Sequence, residues 1–211
     1  MNYLLGVALV GILAGTCLAV KPLPCKSPPE VEGSFMATTP SGEFLALGKY
    51  FYDANGQRVR LETTGRYKND SFKSDLLFLY KEHVMYVINS ENESCVKKEL
   101  KATFHPMEIP ENATLLGQVT LGSLLEPEES LVVNTWTGEI PKTQAKYSLT
   151  FTDSGCLPVS TYYYSPKTGW VATSIFNNIV GITDPGPLTP PSFCTSATME
   201  MENSDFFSIF F

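Results

Sequence analysis

Residues 145–152 read AKYSLTFT. Tyr147, Leu149 and Phe151 fall on one side of an extended chain, and Lys146, Ser148, Thr150 and Thr152 on the other. A period of two is the mark of a strand with one buried face. The same texture recurs on both sides of this stretch. Residues 42–52 (GEFLALGKYFY) and 57–63 (QRVRLET) flank Asp53-Ala54-Asn55-Gly56, where Asn-Gly would supply the positive-φ positions of a hairpin. Residues 75–80 and 84–88 flank a short reversal at Lys81-Glu82-His83. Residues 115–121, 131–136, 157–164 and 170–176 continue at intervals suited to an antiparallel meander. An amphipathic helix of more than three turns is nowhere apparent, although Pro127 and the acidic residues after it could open a short one. Strands at this density predict an all-β antiparallel sandwich or barrel. The Pro-rich stretch 184–192 (DPGPLTPPS) is excluded from a central strand and reads as an ordered connection to Cys194.

Residues 2–20 (NYLLGVALVGILAGTCLAV) are uncharged, short for a membrane span, and end with Cys17 and Ala19 at signal-peptidase spacing. We expect a signal peptide over residues 1–19 and a single β domain over 20–211. Cleavage removes Cys17 and leaves Cys25, Cys95, Cys156 and Cys194, an even set bound for an oxidising compartment. Two disulfides follow, with three connectivities open. Three sequons, at Asn69, Asn92 and Asn112, lie in polar stretches between apolar runs and fit a secreted glycoprotein.

The chain has 211 residues, with 15 Lys and Arg against 22 Asp and Glu and a net charge of −7. An acidic balance argues against nucleic-acid binding, which needs clustered cations. The G-x-S-x-G, H-E-x-x-H, P-loop and G-x-G-x-x-G patterns are all missing. His83 and His105 read as structural or solvated, so the chain is read as no enzyme. Two acidic groups, Glu126, Glu128 and Glu129, then Glu200, Glu202 and Asp205, lack EF-hand spacing. Any calcium there would be held weakly, at the surface or by glycans. The aromatic content is high, with 10 Tyr and 13 Phe, and it can either fill a core or wall an apolar pocket. Strand alternation nominates Tyr147, Leu149 and Phe151 as inward, with Phe78 and Tyr86 as further candidates. The acidic and aromatic ending, EMENSDFFSIFF over residues 200–211, reads as a terminal segment packed on the sheet or as an exposed contact patch.

Several stretches together resemble the ependymin family of secreted glycoproteins, the fish members most closely. They are Pro24-Cys25 with Pro28-Pro29; NSENESC over residues 89–95, followed by Lys97-Lys98-Glu99; Met107-Glu108-Ile109-Pro110; Gly155-Cys156-Leu157-Pro158-Val159-Ser160; Pro190-Pro191-Ser192-Phe193-Cys194; and Asp205-Phe206-Phe207. The resemblance implies two curved antiparallel sheets, a sandwich or half-barrel related to lipoprotein-carrier folds, with an apolar pocket between them. It implies the bridges Cys25–Cys156 and Cys95–Cys194. It implies an extracellular rather than lysosomal protein, a homodimer, and a lipid or other apolar ligand. The other role it implies is a calcium-dependent matrix or cell-adhesion glycoprotein acting through glycans and self-association.

Overall fold

The computed structural model describes residues 21–200, so the expected signal peptide and the end of the aromatic tail lie outside the described residues. The strands are β1 (Glu30–Thr38), β2 (Phe44–Asp53), β3 (Arg58–Tyr67), β4 (Asp70–Leu79), β5 (Val84–Asn89), β6 (Ser94–Glu99), β7 (Thr114–Gly122), β8 (Ser130–Ile140), β9 (Ala145–Thr152), β10 (Pro158–Ser165), β11 (Gly169–Val180) and β12 (Met199–Glu200). Between them lie single 3-10 turns, at Tyr80–Glu82 and Pro127–Glu129 among others. The fold is all-β, as expected.

Spatial order is β12-β6-β5-β4-β3-β2-β1-β11-β10-β9-β8-β7. Two sequential meanders, β1–β6 and β7–β11, meet where β1 pairs with β11. The two expected sheets are these meanders, hydrogen-bonded into one open half-barrel. Every named strand pair is antiparallel except β12 on β6.

The connections follow from this order. The chain leaves β6 near one edge of the sheet and must begin β7 at the other. Residues 100–113 therefore cross the whole inner face as a strap. Leu100, Ala102, Phe104 and Met107 pack there on Tyr50, Tyr52, Leu61, Leu76 and Phe78. Further along, Ile109 packs on Trp136, Phe151 and Cys156. The chain leaves β11 at the centre and returns to the β6 edge, so residues 181–198 cross the outer face. Leu188, Ile182, Phe193 and Cys194 cover Leu77, Leu79, Val84, Tyr86 and Ile88. The Pro-rich stretch is thus an ordered connection.

One disulfide ties the outer strap directly, and the other braces the N-terminal segment that holds the inner strap. Cys25–Cys156 joins the N-terminal segment to the β9–β10 turn, and Cys95–Cys194 joins β6 to the outer strap. The N-terminal segment holds the inner strap in turn. The Ser27 amide donates to the Met107 carbonyl and the Ile109 amide to that of Cys25, both at 2.9 Å. Lys26 pairs with Glu108 at 3.0 Å. On the outer side, Arg58 and Arg60 donate to the carbonyls of Leu188 and Pro187. Their charges are met by Asp53 and Asp75 at 2.6 and 2.7 Å.

The expected β2–β3 hairpin forms, but its turn differs in detail. Positive φ falls at Gln57, not on the Asn-Gly pair. Gly56 is needed for space instead. Its amide donates to Asp53 at 2.7 Å, and a Cβ there would collide with the same carboxylate. Asp53 thus ends β2, caps the turn and anchors Arg58. Strand β1 lies outside the strands expected from alternation. Its Gly33 admits the Tyr50 ring and the Asn178 side chain, either of which a Cβ would strike at 2.7–2.8 Å.

Candidate ligand-binding cavity

On the inner face, between the sheet and the inner strap, lies a cavity of about 310 Å3. Its size has a cause in the sequence. Cross-strand neighbours Ala37 and Ala46 are small where flanking positions carry Phe35, Phe44 and Tyr50. Small side chains among large ones leave a trough that the backbone cannot collapse to fill. Val59 and Leu61 of β3 extend the wall on one side, and Val171 and Ile175 of β11 on the other. Tyr80, Phe104 and Met107 close over it from the β4–β5 turn and the strap.

The trough is deep over β2 and open over β10. Ala46, Tyr50 and Tyr52 are 1%, 7% and 4% exposed, whereas Thr161 and Tyr163 are half-buried and His105 is exposed at the rim. The buried phenols are already engaged. Tyr50 donates to Asn178 Oδ1 at 2.6 Å, and Asn178 donates to the Pro158 carbonyl at 2.8 Å. The Tyr52 oxygen accepts the Met107 amide at 2.9 Å, tying strap to sheet. Burial pushes the Tyr50, Tyr52 and Tyr80 phenols above their ordinary range. They are therefore neutral at any physiological pH. The wall residues include no Lys, Arg, Asp or Glu. Such a chamber can bind by apolar contact and hydrogen bonds, and it holds no fixed charge.

The five nominated pocket residues lie elsewhere. Tyr147, Leu149 and Phe151 do share the inner face, one strand beyond the rim; Leu149 and Phe151 pack on Trp136, Ile109 and Cys156. Phe78 is fully buried behind the cavity wall, among Tyr52, Leu76 and Met85. Tyr86 pairs with Leu77 and so faces outward, beneath the outer strap. The cavity is lined instead by residues whose signal was the break in bulk at Ala46-Leu47-Gly48 inside an aromatic strand.

Asn69, Asn92 and Asn112 are all exposed in turns. Asn92 Oδ1 accepts the Ser94 hydroxyl at 2.6 Å and the Ser94 amide at 3.2 Å. Among the described residues, no three His, Cys, Asp or Glu gather as metal ligands. Glu126, Glu128 and Glu129 are exposed, while Glu202 and Asp205 lie outside the described residues.

The family model described as Ependymin matches residues 68–194. Ependymin-2 of Carassius auratus is 35% identical over 189 residues, covering 89% of this chain and 87% of that protein. Mammalian ependymin-related protein 1 of Mus musculus is 30% identical, covering 94% and 90%. Among solved structures, an uncharacterized conserved protein from Thermus thermophilus aligns with a TM-score of 0.51 at 11% identity, over 86% of this chain and 91% of that one.

Proposed function

The chain belongs to the ependymin family, and from that premise we propose that it is a secreted, glycosylated binding protein that carries an apolar ligand in the inner-face cavity. The observation that carries this reading is the cavity itself. A trough of this volume sits at the lower end of the ~300–1,000 Å3 usual for small-molecule sites. Its walls are almost wholly apolar, and an apolar occupant would remove that surface from water at roughly 25 cal/mol per Å2. Secretion is supported by the signal-like segment over residues 1–19, the two disulfides and the exposed sequon asparagines. Native mass spectrometry of protein secreted from eukaryotic cells, followed by organic extraction, tests it. A stoichiometric lipid adduct is the expected result. Protein that arrives empty and takes up neither fatty acids, lysolipids nor glycolipids would overturn it.

A second reading, the self-associating adhesion glycoprotein, has one observation behind it. Leu116, Val119, Leu121, Leu124, Leu125 and Leu131 stand exposed on β7, β8 and the turn between them. Sedimentation with and without calcium and glycans tests that reading. Assembly indifferent to both would sink it.

A further inference from the structure

Among the described residues, one pair of hydroxyls in the cavity lining is left without a partner. Thr161 of β10 and Thr173 of β11 are directly paired across the ladder and both face the trough. Cross-strand partners have Cβ atoms roughly 5 Å apart, so two hydroxyls stand side by side at the open rim. Another cross-strand threonine pair in the sheet behaves differently. Thr135 and Thr150, on the outer face, bond to each other at 3.0 Å. The Thr161 and Thr173 hydroxyls make no such bond among the described residues.

Resting on the carrier reading above, we propose that Thr161 and Thr173 form a head-group site, and that the ligand is an uncharged single-chain amphiphile of the monoacylglycerol type. Two features set the class. A hydroxyl both donates and accepts, which matches a head of hydroxyl and ester oxygens. A carboxylate or phosphate head would find no Lys or Arg on these walls, and the chain's net charge of −7 repels anions at long range. Volume sets the tail. At about 310 Å3 the trough lies at the lower end of the ~300–1,000 Å3 usual for small-molecule sites, which suits one acyl chain better than two.

The test uses the full secreted protein at neutral pH, loaded with diphenylhexatriene, a fluorescent hydrocarbon without a head. Competitors are monodecanoylglycerol, decanoate and didecanoylglycerol. Monodecanoylglycerol is expected to displace the probe at about tenfold lower concentration than decanoate, the worth of one or two net hydrogen bonds. Didecanoylglycerol should compete more weakly. The isosteric double variant Thr161→Val, Thr173→Val should keep probe uptake and lose the preference. Decanoate matching or beating the glyceride, or a preference that survives in the valine variant, overturns the inference and leaves the carrier reading intact. Failure of the wild-type protein to take up diphenylhexatriene overturns both.

Discussion

Strands β3–β5 and β7–β8 belong to one sheet and share one texture, yet they end in opposite circumstances. The first group is covered on both faces. Leu76, Leu77 and Phe78 are consecutive and all 0% exposed, because the inner strap takes the even positions and the outer strap the odd one. In β7–β8 the inner face meets Ile109 and Ala113, but Leu116, Leu121 and Leu131 remain 62%, 43% and 44% exposed. What separates the two regions is the course of the connecting chain. A strand's sequence licenses burial, and a strap delivers it.

Removing the outer strap's anchor should erase the difference. The double variant Cys95→Ser, Cys194→Ser opens a loop of 99 residues and should cost about 2–5 kcal/mol. Chemical denaturation would show it, together with new dye binding at the bared Leu77–Tyr86 surface. A single-residue comparison sharpens the contrast. Leu77→Ala should cost about 2–5 kcal/mol in the same assay, while Leu116→Ala should stay within about 0.5 kcal/mol. If the two match, Leu116 is covered in solution by a partner or by the chain's own tail. Inside the trough, Ala46→Leu adds bulk at the floor and should weaken hydrocarbon uptake by about tenfold; overpacking in a tight core costs ~1–3 kcal/mol, so a melting curve must accompany the binding measurement. The smallest effect concerns pH. Burial alone would raise the Asp53 carboxyl, but the Gly56 amide and the Arg58 guanidinium outweigh it and hold it below the usual carboxylate range. A depressed pKa contributes stability that is complete above the unfolded-state value and is lost as pH falls through the folded one. The stability gap between wild type and Asp53→Asn should therefore narrow on acidification below the ordinary carboxylate range, and a constant gap would contradict this role.

Much of the architecture was legible because alternation is local. β9 reads at sight, and its Tyr147, Leu149 and Phe151 do face inward together. What alternation cannot tell is which side of the sheet a given set faces. Phe78 and Tyr86 are both even-numbered, and they point to opposite faces because β5 pairs Tyr86 with Leu77. That parity is set by the reversal at residues 80–83, where a one-residue slip turns a strand over. The central strand β1 was harder still. Its nine residues, EVEGSFMAT, carry glycine, serine and two glutamates, and its pattern is broken by a register irregularity against β11 between Glu32 and Ser34. The cavity escaped for a related reason. Aromatic residues advertise themselves, whereas a void is written in the small residues, Ala37 and Ala46, between them.

The junction of β1 with β11 also sets a clock. Val31 finds its partner in Val180, a separation of 180 − 31 = 149 residues. At the ~5–20 residues per second of protein synthesis, that partner emerges roughly 7–30 s later. For that interval one edge of β1 has no neighbour, and unpaired edges are templates for pairing with other chains. Only when the last long strand arrives can the two meanders lock, so the nascent chain must be sheltered through most of its own making.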